Sequence, residues 1–199
     1  MPKPERKTAI AIDADDVLAG HAEAFINFSN SNYGTDFSLE DYHDNWPELW
    51  DITHEEMEKR AKKFHTTESV AEYGLINEAD AAIKSLSERY RLFVVTARPK
   101  YNIEPTRQWI DRHFSGAFDG IHFVPIWEIN NQVTKADICR QIGADYLIDD
   151  LARHCNVAAE AGIKALLFGD YTWNRNEPVT LSVVRVKDWK EVLRYFEKS

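Results

Sequence analysis

Four stretches carry the residues that could do chemistry. The first reads Ile-Ala-Ile-Asp-Ala-Asp-Asp-Val-Leu over positions 10–18, so that Asp13, Asp15 and Asp16 end an apolar run. Like charges this close raise the energy of a folded chain unless something positive sits among them. A divalent cation meets that need, and hard oxygen ligands suit Mg2+. Val94-Val95-Thr96-Ala97-Arg98 is the second stretch, Thr134-Lys135 the third and Leu147-Ile148-Asp149-Asp150 the fourth. A second pair of acids after an apolar run again asks for a cation. Lys135 falls in the first turn of an expected helix, where the helix dipole disfavours a cation unless an anion shares that end.

The elements that must position these residues follow from periodicity and punctuation. Strands are expected at Thr8–Ile12, Leu92–Val95, Ile121–Val124, Tyr146–Ile148, Lys164–Phe168 and Val183–Val186. Between them lie helices at Asn77–Arg89, Glu104–Phe114, Thr134–Ile142 and Leu151–Ala161, with Asp188–Phe196 closing the chain. Asn77, Thr134 and Asp150 are the expected caps. Strands alternating with helices imply a parallel sheet covered on both faces, an α/β Rossmann-like three-layer arrangement. Asp13, Thr96 and Asp149 then fall at the C-terminal ends of strands, where open sheets bind ligands.

One segment breaks the alternation. Residues 20–74 hold helical patterns at Gly20–Tyr33, Thr53–His65 and Glu68–Tyr73, with no strand. Ser38 with Asp41, and Thr53 with Glu56, read as capping boxes. This is a small all-helical cap inserted after the first strand, so the core is 1–19 and 75–199. Its aromatics Phe25, Phe28, Tyr42, Trp46 and Trp50 are candidates to stack on a base, or else the core of the cap itself.

The ordered set Asp-x-Asp, Thr, Lys, Asp-Asp resembles the haloacid dehalogenase-like phosphohydrolases, from Thr8 to about Phe168. Asp-x-Asp-x-Val-Leu, the short helical cap and Leu-Ile-Asp-Asp together are most similar to the 5′(3′)-deoxyribonucleotidase branch. Trp173-Asn174-Arg175 adds to that narrower likeness, whereas the Thr-Ala-Arg-Pro loop departs from it. The resemblance implies a Mg2+-dependent phosphomonoesterase, with Asp13 as nucleophile and Asp15 as acid and base. An Asp at the second position favours phosphatase over dehalogenase chemistry. A carboxylate nucleophile gives an aspartyl-phosphate that water later cleaves. Thr96, the backbone N–H groups of Ala97 and Arg98, and Lys135 would hold the phosphate, while the Arg98 side chain would either touch phosphate or pair at the surface. The resemblance also implies metal contacts from Asp13, the backbone oxygen of Asp15, and the pair Asp149 and Asp150. Of that pair Asp149 is preferred as the direct ligand. Asp16 stands where many relatives have Gly and receives no role.

The expected substrate is a small phosphorylated metabolite, a nucleoside monophosphate first, with a sugar phosphate or other small phosphoester as the alternative. A silent phosphate-binding protein on the same fold is disfavoured because Asp13 and Asp15 are both present. A phosphoryl-accepting receiver domain has the same residue types in another order, and no cap. A net charge of −9 argues against a nucleic-acid polymer or a polybasic membrane contact. Cys139 and Cys155 make no metal or Cys-x-x-Cys pattern and read as buried thiols of a reducing compartment. The first residues are charged and no apolar region of signal-peptide length follows, so a cytoplasmic location is expected and the Asn27-Phe28-Ser29 acceptor pattern is discounted. Relatives of this kind often dimerise, which makes a homodimer a candidate state.

Overall fold

The computed structural model describes residues 7–124 and 132–198; the first six residues assigned to the core lie outside them. Six strands form one parallel sheet: β1 (Ala9–Ile12), β2 (Arg91–Thr96), β3 (Gly120–Phe123), β4 (Tyr146–Asp149), β5 (Lys164–Phe168) and β6 (Val183–Val186). Their order is β3-β2-β1-β4-β5-β6. Ile12 is paired with Val94 on one side and with Ile148 on the other, which brings the ends of β2 and β4 level with Asp13. The order reverses between β1 and β4, and a crevice opens beyond the carboxyl ends of strands at such a point.

Alternation along the strands assigns the two faces. Ile10, Ile12, Leu92, Val94, Ile148, Leu166 and Phe168 point to one core, and Ala11, Val95, Leu147, Ala165 and Leu167 to the other. The first core holds the bulky residues of α5 (Ala79–Arg89), α6 (Ile103–Phe114) and α9 (Trp189–Glu197). Small residues and both cysteines fill the second, under α7 (Lys135–Ile142) and α8 (Ala152–Glu160). Cys139 and Cys155 are buried free thiols, and burial pushes the Cys139 thiol up to about 12.

The segment between β1 and α5 contains α1 (His21–Tyr33), α2 (Trp46–Leu49), α3 (His54–Phe64) and α4 (Thr67–Ala71). Its two ends lie side by side, for Gly20 N–H donates to Gly74 O and Ile76 N–H to Leu18 O, both at 2.8 Å. The insertion therefore leaves and rejoins the core at one place. It shares the first core rather than building a separate one: Phe25, Trp46, Trp50 and Phe64 belong to the same buried cluster as the sheet face. Phe25 is fully buried, and Trp50 donates its indole N–H to Ser29 Oγ at 3.1 Å. These two are packing residues.

Three expected caps differ. Ser38 and Asp41 form their hydrogen bonds, 2.7 Å between Ser38 Oγ and Asp41 Oδ2, but close a turn and open no helix. Asn77 does not cap α5, whose first turn is preceded by Glu78 at φ +65°. Asp150 does not cap α8; Leu151 N–H donates to Asp149 Oδ1 at 3.0 Å instead. Thr53 and Thr134 do cap α3 and α7, and Thr134 with Asp137 completes a capping box.

Candidate active site

The end of β1 supplies Asp13 and Asp15. Asp13 N–H donates to Ile148 O at 2.9 Å, continuing the ladder and pinning the carboxylate at the crevice. Its Oδ1 accepts from Ala14 N–H at 2.7 Å. Its Oδ2 lies 2.8 Å from Lys135 Nζ, and the same ammonium donates to Asp149 Oδ2 at 2.6 Å. Lys135 is 3% exposed, a buried cation shared by two buried acids. The two carboxylates offset the unfavourable placing of Lys135 at the start of α7.

Asp149 has both oxygens engaged, because Oδ1 also faces His154 Nδ1 at 3.1 Å, the nitrogen that must carry the proton for this bond. Burial works to raise this carboxyl, but Lys135 and His154 override it and hold it well below the usual carboxylate range. Asp150 is placed differently. Burial raises it well above that range, and Asp149, Asp13 and Asp16 push the same way. Among the described residues no ion pair engages it. Carboxylate oxygens of Asp13, Asp149 and Asp150 all lie within 4.8 Å of one another, and all three residues are buried. Hard oxygen donors in excess of the cations among them fit a divalent ion such as Mg2+.

Asp15 is bound to Arg98, whose Nε donates to Oδ2 at 3.1 Å and whose Nη2 donates to Oδ1. Nη1 donates to Thr106 Oγ1 at 2.8 Å. Burial alone would raise the Asp15 carboxyl; the Arg98 guanidinium holds it below the usual range. Arg98 is 3% exposed, so its side chain is neither at the surface nor open to a ligand, and what it offers is the orientation of Asp15. Thr96 at the end of β2 is fully buried, and among the described residues its Oγ1 has no hydrogen-bond partner.

Asp16, left without a role in the sequence, has a structural one. Its backbone is left-handed at φ +55°, and both carboxylate oxygens accept from Ala22 N–H at 3.0 and 3.3 Å. It thus satisfies the first turn of α1, where Gly20 has no side chain to do so. Asp tolerates this backbone better than most residues.

A cavity of about 350 Å3 opens over Asp13 and Asp15. The insertion contributes His21, Tyr42, Trp46 and Met57 to its wall, and the β5–β6 connection contributes Trp173. Tyr42 and Trp46 are buried packing residues whose side chains also line this wall. His21 and His154 also line the cavity, and the sequence gives no sign of it, since single histidines near helix starts carry no spacing signal. His21 stacks on Trp46 with centroids 5.8 Å apart, and its Nε2 lies 3.4 Å from His65 Nε2. Burial lowers both imidazoles, His65 to about 3, so both are neutral at pH 7.

The β5–β6 connection turns on Gly169 at φ +86°, where an added Cβ would lie 2.1 Å from the Tyr171 ring. Gly169→Ala is expected to cost about 1–2 kcal/mol from the left-handed backbone alone, and more from the displaced ring. Chemical denaturation of the two proteins checks this; equal midpoints would refute it.

Acids at two adjacent strand ends of one parallel sheet, a shared buried lysine and a strand-end threonine meet at one crevice, in a fold similar to that of haloacid dehalogenase-like hydrolases. The chain belongs to the family described as 5′ nucleotidase, deoxy (pyrimidine), cytosolic type C protein, which matches residues 6–196. A candidate nucleotidase of Oceanobacillus iheyensis is 29% identical over 105 residues, which are 53% of this chain and 52% of that protein. The chain thus spans about half the length of the curated relative it matches. In fold it is similar to a haloacid dehalogenase-like hydrolase from Streptococcus pneumoniae, with a TM-score of 0.68, 16% identity and coverage of 95% and 98% of the two chains. A hydrolase of the same class from Bacillus subtilis, solved with magnesium bound, gives a TM-score of 0.63 at 11% identity, covering 96% and 99%. Among the described residues no helix is long and apolar enough to cross a membrane.

Proposed function

We propose that this protein is a Mg2+-dependent phosphomonoesterase that works through a phosphorylated Asp13 and acts on (deoxy)nucleoside monophosphates. The observation that carries the reading is the Lys135 bridge, 2.8 Å to Asp13 and 2.6 Å to Asp149, beneath a cavity that also exposes Asp15. Lys135 holds the Asp13 carboxylate at the crevice. Thr96 Oγ1 and the backbone N–H groups of Ala97 and Arg98 would donate to phosphoryl oxygens. The metal would be held by Asp13, the backbone oxygen of Asp15, and Asp150, with Asp149 acting through Lys135. That reverses the preference for Asp149, because Asp149 is already neutralised and Asp150 is not. The bound cation would supply positive charge to the transferring phosphoryl group and keep Asp13 ionised.

In the first step an Asp13 oxygen attacks phosphorus, the bond to the leaving oxygen breaks, and Asp15 gives that oxygen its proton. In the second, water attacks the acyl phosphate, Asp15 takes the proton from water, and inorganic phosphate leaves with Asp13 regenerated. Arg98 holds Asp15 as the carboxylate, the form the second step needs; the pair must loosen for the first. The helical insertion serves as the cap that excludes water, and its Tyr42 and Trp46, with Trp173, make an aromatic wall suited to a base. Asp44 and Asn45 on the same wall favour the second reading, a sugar phosphate with free hydroxyls.

The test is phosphate release from a panel of nucleoside monophosphates and sugar phosphates, with Mg2+ and with EDTA. Release is expected only with Mg2+ and fastest with a nucleoside monophosphate. A sugar phosphate as best substrate would overturn the nucleotide assignment, and no release from the panel would overturn the reading for these substrate classes.

A further inference from the structure

Asp150 presents a problem that its own strand does not solve. A buried carboxylate with a free choice of rotamer would turn toward whichever donor is nearest, and a metal ligand must instead hold one oxygen in place. The donor that fixes it comes from outside the four chemical stretches. Trp173 Nε1–H donates to Asp150 Oδ2 at 2.7 Å. The indole is itself clamped: it stacks on Tyr171 with centroids 4.4 Å apart and planes 9° apart, and Tyr42 of the insertion meets it edge-on at 5.0 Å.

The connection that carries Trp173 is anchored to the site at two further points. Asn174 is fully buried, and its Nδ2 donates to both Asp150 O and Phe168 O at 2.8 Å. Its Oδ1 accepts from Tyr171 N–H at 3.1 Å. Tyr171 donates its hydroxyl to Asp16 O at 2.8 Å. The segment after β5 is thus tied to the loop after β1 and to the loop after β4 at once. The Trp173 ring also forms part of the cavity wall, so one side chain joins a candidate metal acid, the leaving-group compartment and the insertion.

We infer that Trp173 is a positioning residue for the metal: its indole N–H occupies Oδ2 of Asp150, so that Oδ1 would be the oxygen left to hold the cation. The inference rests on the proposed cation site and deepens it. Partners that orient a metal-binding carboxylate are worth about 10–100-fold in metal affinity. An indole is a donor only and cannot compete for the cation.

The experiment is calorimetric titration of MgCl2 into the EDTA-treated, dialysed full chain, for wild type, Trp173→Phe and Tyr171→Phe. Trp173→Phe keeps an aromatic ring in the stack but loses the N–H to Asp150 together with part of the bicyclic ring, whereas Tyr171→Phe loses only the hydroxyl to Asp16. The expected result is Mg2+ affinity weakened about tenfold or more in Trp173→Phe and within about threefold of wild type in Tyr171→Phe. Equal affinity in Trp173→Phe overturns the inference, and so does equal weakening in both variants, which would mean a loosened connection. A wild type that binds no Mg2+ overturns the cation site beneath it as well. Should Trp173→Phe not fold, 15N spectra of the wild-type indole N–H groups decide. One indole resonance is expected to move on Mg2+ addition with the calorimetric half-saturation, and no moving indole overturns the inference.

Discussion

Asp13→Asn is expected to abolish Mg2+-dependent phosphate release, by about 10^4-fold or more, while leaving a folded protein. Loss of a covalent nucleophile removes the reaction path itself, and what remains is only binding and electrostatic stabilisation. The amide is close in size to the carboxylate, and Lys135 keeps Asp149 as a partner. Stability should move the other way. Burial, against the pull of Lys135 and with the push of Asp149 and Asp15, raises the Asp13 carboxyl from 3.8 to about 7. Between those two values the folded metal-free protein keeps a proton that the unfolded chain has released. Stability from this group therefore falls as pH rises through that window and is level above it. Asn has no such term. In EDTA its advantage over the wild type should grow from near pH 4 to near pH 7. Thermal melts across that range, run beside the phosphate assay, check both halves. Residual turnover near the wild-type rate would remove Asp13 from the reaction, and a stability difference independent of pH would refute the electrostatic account.

Lys135→Met is the second large effect. The variant keeps most of the length of the side chain and deletes the cation that, alone among the described residues, pairs with both Asp13 and Asp149. Breaking a buried ion pair from one side leaves uncompensated charge and costs about 3–5 kcal/mol. In a domain of this size that corresponds to a fall in Tm of roughly 10 °C. Because the proposed Mg2+ would bind Asp13, one of these two acids, Mg2+ should restore part of the loss, by mass action on the folded state alone. The measurement is the melting temperature of both proteins in EDTA and at saturating Mg2+. A variant as stable as wild type in EDTA would show that Lys135 is not what neutralises the pair. Activity should also fall, since Lys135 holds the nucleophile.

The comparison of sequence and structure divides along a physical line. Strand ends were legible because an apolar run that stops in Asp13 or Asp149 is a local signal, and each lies within a residue of where the sheet ends. The run of helices between β1 and α5 was legible because residues 20–74 lack any strand pattern. Lys135 at a helix start was legible because it violates a local preference. Caps were less so: Ser38, Asn77 and Asp150 have side chains suited to capping, but tertiary packing decided which bonds form.

The sequence by itself thus determined the fold class, the identity of the acids, threonine and lysine, and the order in which they meet at one end of a parallel sheet. Only the tertiary structure decided their electrical states and partners. Asp149 is neutralised by Lys135 and His154 while its neighbour Asp150 is not; Arg98 turns inward to Asp15; Trp173 reaches Asp150 from 23 positions away. Charge state depends on burial and on which groups lie within a few ångströms, and such neighbours are set by packing between distant segments.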